Sequence, residues 1–437
     1  MYKSALKLSK KINKNKIEPI NFIKEQLEKA KNSDAFVLTY EHEYTEKKVK
    51  ELLSKKEKSP LAFVPVCVDD TIMIKGTDTE AGSKSLKGFK APFSATVYKK
   101  INNAGMIILG KTAVDEFSIA PIENDLPDEK LGAIDSIKEG ITLLGFTNDF
   151  SGKYRREAFK KGLYYIKPTY GTVSRFGLVA TVSSMDQIGI VSKTTGDGFA
   201  ALEAIAGYDE NDVAMYEPAK YKFETDKKDL KGFKIGVPLN IVNLLKSKEK
   251  EAVLNYINQI KNQGAEVCAF DFDLGLLKVL PAVKYILSAA EISNNTNRFD
   301  GAKFGYRTEN FKDLNDLYLN SRTEGFGLNG KLASIMGCMV LSSEHYEASY
   351  FKSMKIRRVL KNLLDDILNK YDALIMPLKS KNTTEFTSVS TLTGVPSLTI
   401  PLNGGAAGIE ILTGNFKENI LLNIGKYYEE SLQKEEK

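Results

Sequence analysis

Two adjacent carboxylates, Asp69 and Asp70, end an apolar run that begins at Phe63. Paired carboxylates at the mouth of a buried strand can do acid–base work. Farther along stands Lys153-Tyr154-Arg155-Arg156. A buried lysine can give up its proton and act as an amine nucleophile. The spacing of Asp69, Asp70 and Lys153 asks for neither chemistry, and ion-paired or solvated charges are the simpler reading. Gly105 to Thr112 spells the phosphate-loop pattern Gly-x-x-x-x-Gly-Lys-Thr, but its middle residues, Met106-Ile107-Ile108-Leu109, are themselves an apolar strand. A phosphate loop needs its strand before the first glycine and a polar loop after it. The pairs Ser183-Ser184 and Ser342-Ser343 read as cap or turn residues rather than nucleophiles.

Little else in the composition offers reactive groups. Three cysteines, Cys67, Cys268 and Cys338, are widely spaced, which argues against a disulfide framework or a zinc site. Two histidines, His42 and His345, leave little for a metal centre or a Ser-His-Asp triad. No cofactor or metal is expected. The net charge of +6, from 62 basic and 56 acidic residues, is too small to argue for nucleic acid. No apolar leader opens the chain and no run is long enough to span a bilayer, so a cytoplasmic protein without membrane contact is expected.

The elements that must position these residues follow from periodicity. Residues 1–32 read as two helices, 35–40 as a strand and 44–58 as a charged helix. Leu61–Val68 is apolar throughout, as a strand covered on both faces would be. Residues 117–162, with scattered glycines and prolines, are the least regular part of the first half. Lys234–Pro238, Ser247–Asn262 and Glu266–Phe272 alternate strand, helix, strand, which predicts parallel pairing. Residues 276–295 and 330–369 read as mostly helical, with a polar stretch at 299–327 between them. Strand patterns return at 373–376, 397–401 and 407–412, before a closing helix at 418–433. Length alone suggests about two to three domains, but large α/β folds often exceed that as one unit, and a single unit over residues 1–437 is expected, with core sheet regions at 63–207 and 373–430 and a mainly helical part at 276–370.

Several pieces together resemble the amidase signature family. They are Pro65–Lys84, Leu109-Gly110-Lys111-Thr112, Asp115-Glu116-Phe117, Lys167-Pro168-Thr169-Tyr170-Gly171, Asp186-Gln187-Ile188-Gly189 and Leu392-Thr393-Gly394-Val395-Pro396. The resemblance runs from about residue 3 to about residue 430 and is nearest the branch that holds the A subunits of tRNA amidotransferases. It implies an α/β fold with a large mixed β-sheet core surrounded by helices. It also implies chemistry on a carbon–nitrogen amide bond by a lysine, a bridging serine in a cis peptide and a nucleophilic serine. The lysine must be neutral to take the proton, and glycine-rich backbone aims N–H groups at the oxyanion.

Matched residue by residue, those three places are held by other types. Asp69 falls on the lysine, Lys153 on the nucleophile, and Glu129 or Lys130 on the bridging serine. Asp149, Ser151 and Gly152 remain as a vestigial pocket. Ala333-Ser334 and Thr384-Glu385-Phe386-Thr387 take the places of substrate-binding residues. Loss of one triad member costs orders of magnitude in rate, so three losses imply a pseudoenzyme with a binding or scaffold role. A buried charge needs a partner, so Asp69 is expected to pair with Lys153 or with Lys130. The partners implied are amidotransferase subunits B and C or another protein, with tRNA met only indirectly. The alternatives are a divergent amidase or amidotransferase A subunit, and a small-ligand sensor.

Overall fold

The computed structural model describes residues 2–119, 131–215, 221–224, 229–379 and 384–435. Eleven strands form one sheet: β1 (Phe36–Thr39), β2 (Pro65–Asp69), β3 (Ile107–Thr112), β4 (Leu144–Asn148), β5 (Tyr164–Lys167), β6 (Ile188–Ser192), β7 (Lys234–Pro238), β8 (Glu266–Phe270), β9 (Ala373–Leu378), β10 (Ser397–Leu402) and β11 (Ala407–Thr413). Their spatial order is β1-β3-β2-β4-β6-β5-β10-β11-β9-β7-β8. The sheet is mixed. β2 runs parallel to both β3 and β4, and β7 parallel to β8 and β9, whereas the β4-β6-β5-β10-β11-β9 run is antiparallel.

Central strands are buried at every position, as continuous apolar runs such as Val66-Cys67-Val68 and Leu374-Ile375-Met376 require. One apolar core lies between the sheet and the N-terminal and C-terminal helices. A second joins Phe117, Leu280, Leu287, Leu360, Leu364 and Phe386 beneath the helices at 274–295 and 352–370.

The parallel pairing of β7 and β8 is as the strand–helix–strand pattern predicts. The described parts of residues 117–162, namely 117–119 and 131–162, are more regular than their glycine content suggests. They hold the helix Gly132–Lys138, β4 and the helix Lys153–Lys160. Their glycines serve close approach: a Cβ on Gly132 would lie 2.1 Å from the carbonyl oxygen of Ala35. The polar stretch at 299–327 likewise contains the helix Leu314–Gly325. Among the described residues, no helix is long and apolar enough to cross a membrane.

Candidate functional site

Asp69 and Asn148 are the last residues of the parallel neighbours β2 and β4, so sheet geometry brings them together. The Asn148 amide donates to Asp69 Oδ2 at 2.7 Å, and the Thr71 amide donates to Oδ1 at 3.1 Å, joined there by the Thr71 hydroxyl. Asp69 is fully buried, and burial raises its pKa to about 6 against the pull of those donors.

The expected ion pair with Lys153 is not formed. Lys153 opens the helix Lys153–Lys160, and its ammonium pairs with Asp115 instead. The reason is direction. Asp69 is turned back onto the turn that follows its own strand and onto the end of β4, whereas Asp115 follows β3 and meets the start of the helix. Burial pulls the Lys153 amine down to about 7 and Arg156 adds repulsion, while the Glu157 carboxylate acts the other way. Glu129 and Lys130 lie outside the described residues.

The loop between β4 and this helix holds the remaining pocket residues. Asp149 accepts from the amides of Tyr154 and Arg155 at 3.3 and 3.2 Å, and from Arg155 Nε at 2.9 Å. The carboxylate thus sits at the positive end of the helix. Gly152 has φ of +82°, and a Cβ there would lie 2.5 Å from Thr387 Oγ1, so only glycine fits. The Ser151 carbonyl accepts from Lys284 Nζ at 2.7 Å. Arg155 is fully buried and reaches Glu410 at 2.8 Å and Thr391 Oγ1 at 2.5 Å, with Ser390 also in contact. The loop is therefore clamped from four directions, by strand, helix, Lys284 and Arg155.

Lys284 is a residue that the sequence reading missed. Burial holds its amine well below the usual lysine range. Its signal was available: Leu277, Leu280, Lys284 and Leu287 recur at helical spacing, which places a lysine on a buried face. Ser118 was missed as well. It has a left-handed φ of 55°, and its buried hydroxyl has no hydrogen-bond partner among the described residues. It borders, with Asp115, Asn148, Ser151, Lys153 and Tyr154, a crevice too tight to hold a water molecule.

The second carboxylate and the phosphate-loop lysine find each other. Lys111 in β3 pairs with Asp70 at 2.6 Å and donates to the Asp78 carbonyl and Thr79 hydroxyl at 2.9 and 2.8 Å. With all three ammonium hydrogens engaged and the side chain buried, it has nothing to offer a phosphate. Ser183 and Ser184 are tethered: Ser184 Oγ contacts Glu291 and accepts from Arg357 at 3.0 Å, and Ser183 Oγ accepts from Asn295 at 3.2 Å. Asp186 accepts from Asn148 Nδ2 at 2.9 Å, joining that block to the end of β4. Ala333 and Ser334 lie within the helix Leu328–Leu341, Ala333 buried, and Phe386 and Thr387 lie buried in the helix Thr384–Thr393.

The family profile named Amidase matches residues 21–122 and 137–421. The chain belongs to the amidase signature family. Among members of this family, the A subunit of glutamyl-tRNA(Gln) amidotransferase from Lachnospira eligens is 32% identical, covering 93% of this chain and 92% of the relative. The A subunit from Clostridium botulinum strain Loch Maree is 34% identical over 88% of this chain and 87% of its own. The crystal structure of the Thermotoga maritima A subunit is 26% identical, covers 93% of this chain and 90% of that one, and has a TM-score of 0.72. The sheet of eleven strands wrapped by helices is thus an amidase-signature fold, and the chain is a homologue of these A subunits.

Proposed function

We propose that this amidase-signature protein is a pseudoenzyme that retains the scaffold of an amidotransferase A subunit to bind a protein partner and does not hydrolyse amides. One observation carries the reading. At the position that the resemblance assigns to the family lysine stands Asp69, a fully buried carboxylate satisfied by Asn148 and Thr71. A carboxylate in that state offers no neutral amine to a serine, so the proton relay has no first member. Lys153, at the place assigned to the nucleophile, is engaged with Asp115 and begins a helix. The relatives, each named as one subunit of a glutamyl-tRNA(Gln) amidotransferase, point to the other amidotransferase subunits as partners, with tRNA met through them.

The test is glutamine and asparagine hydrolysis by the purified protein, run beside an active A subunit from one of the relatives. No turnover above buffer is expected. Turnover comparable to the relative's, abolished by a single substitution in this site, defeats the reading.

A second reading, a divergent amidase, has one observation in its favour. Ser118 combines backbone strain with a hydroxyl that has no hydrogen-bond partner among the described residues, at the crevice that Lys153 borders, and the Lys153 amine is pulled down to about 7. Strained residues cluster at active sites, and a neutral lysine can take a hydroxyl proton. Hydrolysis lost in both Ser118→Ala and Lys153→Ala, with folding intact, would establish it.

A further inference from the structure

The net charge of +6 is small, but it is not spread evenly. Residues 2–17 hold six lysines, Lys3, Lys7, Lys10, Lys11, Lys14 and Lys16, and no acidic residue. Against totals of 62 basic and 56 acidic residues, these six are the whole excess. The helix Ala5–Asn13 arranges them. Its inner face is Ala5, Leu8, Ser9 and Ile12, all buried. At 3.6 residues per turn, Lys7, Lys10, Lys11 and Lys14 fall within about 100° of one another on the opposite side, along about 10 Å of axis. All six lysines are exposed. Lys11 lies over the Tyr2 ring at 5.6 Å, and none of the six forms an ion pair among the described residues. The acids on the two neighbouring helices are taken up by other groups. On the helix Thr195–Ile205, Asp197 accepts from the Ser4 hydroxyl and the Ala5 and Leu6 amides at 2.8–2.9 Å, and Glu203 accepts from the Phe223 amide at 2.9 Å. On the helix Pro19–Lys31, which meets this segment through Phe22 and Tyr2, Glu25 pairs with Lys29 and Glu28 with His42.

Stability does not call for this ridge. Lysines at i,i+3 and i,i+4 repel one another. The helix dipole favours cations near the C-terminal end, where Lys10 and Lys11 stand, but disfavours Lys7 in the first turn. A polyanion laid along the ridge relieves all of these repulsions together. The character of the face selects among polyanions. The apolar side of the helix is turned inward, so it has nothing to insert into a bilayer. The exposed residues interleaved with the lysines are Asn13 and Asn15, which can bond to phosphate or sugar but supply no apolar centre for a protein interface. Lysine ammonium groups on flexible stems act as point charges toward phosphate and carry no base readout.

We propose that the lysine ridge of the helix Ala5–Asn13 binds the phosphate backbone of duplex RNA without reading its sequence. The choice of RNA rests on the reading above, which brings tRNA to the assembly; the ridge adds a contact made by this chain itself. The probe is a fluorescein-labelled RNA hairpin of about 16 base pairs, titrated with the full-length protein in fluorescence anisotropy. Binding should weaken steeply between about 50 and 200 mM salt. Lys7→Gln, Lys10→Gln, Lys11→Gln and Lys14→Gln in one chain should weaken it at least about tenfold at about 100 mM salt and make the slope of log K against log salt shallower by about 3. Lys3→Gln with Lys16→Gln, both outside the helix, should lower that slope by about half as much. The control removes the same charge elsewhere, at the exposed Lys248, Lys261, Lys278 and Lys312, each to glutamine, and should bind within about twofold of the wild type. No binding at about 50 mM salt, or equal loss in the ridge and control variants, overturns the inference. Binding to phosphatidylserine vesicles, lost in the ridge variant while RNA is not bound, assigns the ridge to a membrane and overturns it equally. So does tighter binding of poly-glutamate than of the hairpin, which assigns it to an acidic protein. Amide hydrolysis on the same preparations separates the two readings: turnover by both wild type and ridge variant removes the pseudoenzyme reading and leaves the ridge standing, whereas RNA binding unchanged in the ridge variant, without turnover, removes the ridge alone.

Discussion

Asn148 donates its backbone amide to Asp69 Oδ2 at 2.7 Å, closing the C-terminal ends of two parallel strands with a buried carboxylate. That contact gives Asp69 a structural task, and the burial of the carboxyl, which outweighs the opposing pull of the Asn148 and Thr71 donors, makes stability depend on pH in a defined window. The folded-state pKa is raised from 3.8 to about 6. The favourable contribution is therefore complete below about pH 4 and lost as pH rises to about 6. Urea unfolding of the wild type and Asp69→Asn between pH 4 and 7 should show the wild type losing on the order of 3 kcal/mol relative to the variant. Parallel pH profiles for the two proteins would contradict the assignment.

Lys153 and Asp115 form a pair that neither family resemblance nor charge counting anticipates. A double-mutant cycle with Lys153→Met and Asp115→Asn should return a coupling of about 1–3 kcal/mol, measured by chemical denaturation at pH 6. A cycle with Asp69→Asn in place of Asp115→Asn should give much less, because Asp69 bonds to Thr71 and Asn148.

Arg155 links Asp149 near the helix start to Glu410 in β11 from a fully buried position. Removing one partner of a buried ionic network leaves uncompensated charge. Arg155→Met should cost about 3–5 kcal/mol, read as a fall in thermal midpoint and soluble yield. Adding Glu410→Gln should restore part of that loss, since the amide is cheaper to bury than the carboxylate. No recovery at all would place the damage in packing and not in charge.

Gly152 combines a left-handed φ of +82° with a neighbour, Thr387, that a Cβ would strike. Gly152→Ala should therefore cost about 1–2 kcal/mol from backbone strain and a further 1–3 from overpacking, roughly. Trimming the neighbour with Thr387→Ala in the same chain should recover only the second part. Full recovery in calorimetry would mean that the backbone strain is not there.

Local sequence determined most of the elements. Continuous apolar runs made β2, β9 and β10 legible, and strand–helix–strand order made the β7–β8 pairing legible, because burial on two faces leaves no other pattern. The phosphate-loop letters could be set aside for the same reason, and Lys111 is indeed a buried strand residue bound to Asp70. Motif order pointed to the family, which the comparisons show. Sequence also brought Asp69, Asp149 and Lys153 to one neighbourhood, through the loops that follow β2 and β4.

Only the tertiary structure decided who pairs with whom. Asp69 and Lys153 carry opposite charge and belong to the same site, yet a strand end and a helix start fix where each side chain points, and Asp115 lies in the second direction. Lys284 enters from a helix more than a hundred residues away to hold the Ser151 carbonyl. The helix Leu328–Leu341 reads in sequence as merely apolar; packing turns Gly330, Ala333 and Gly337 inward and leaves Leu328 and Ile335 in water. A one-dimensional pattern states which side chains need burial or a partner. Which of several equal candidates is met depends on distances across the sheet, and those exist only once the chain has folded.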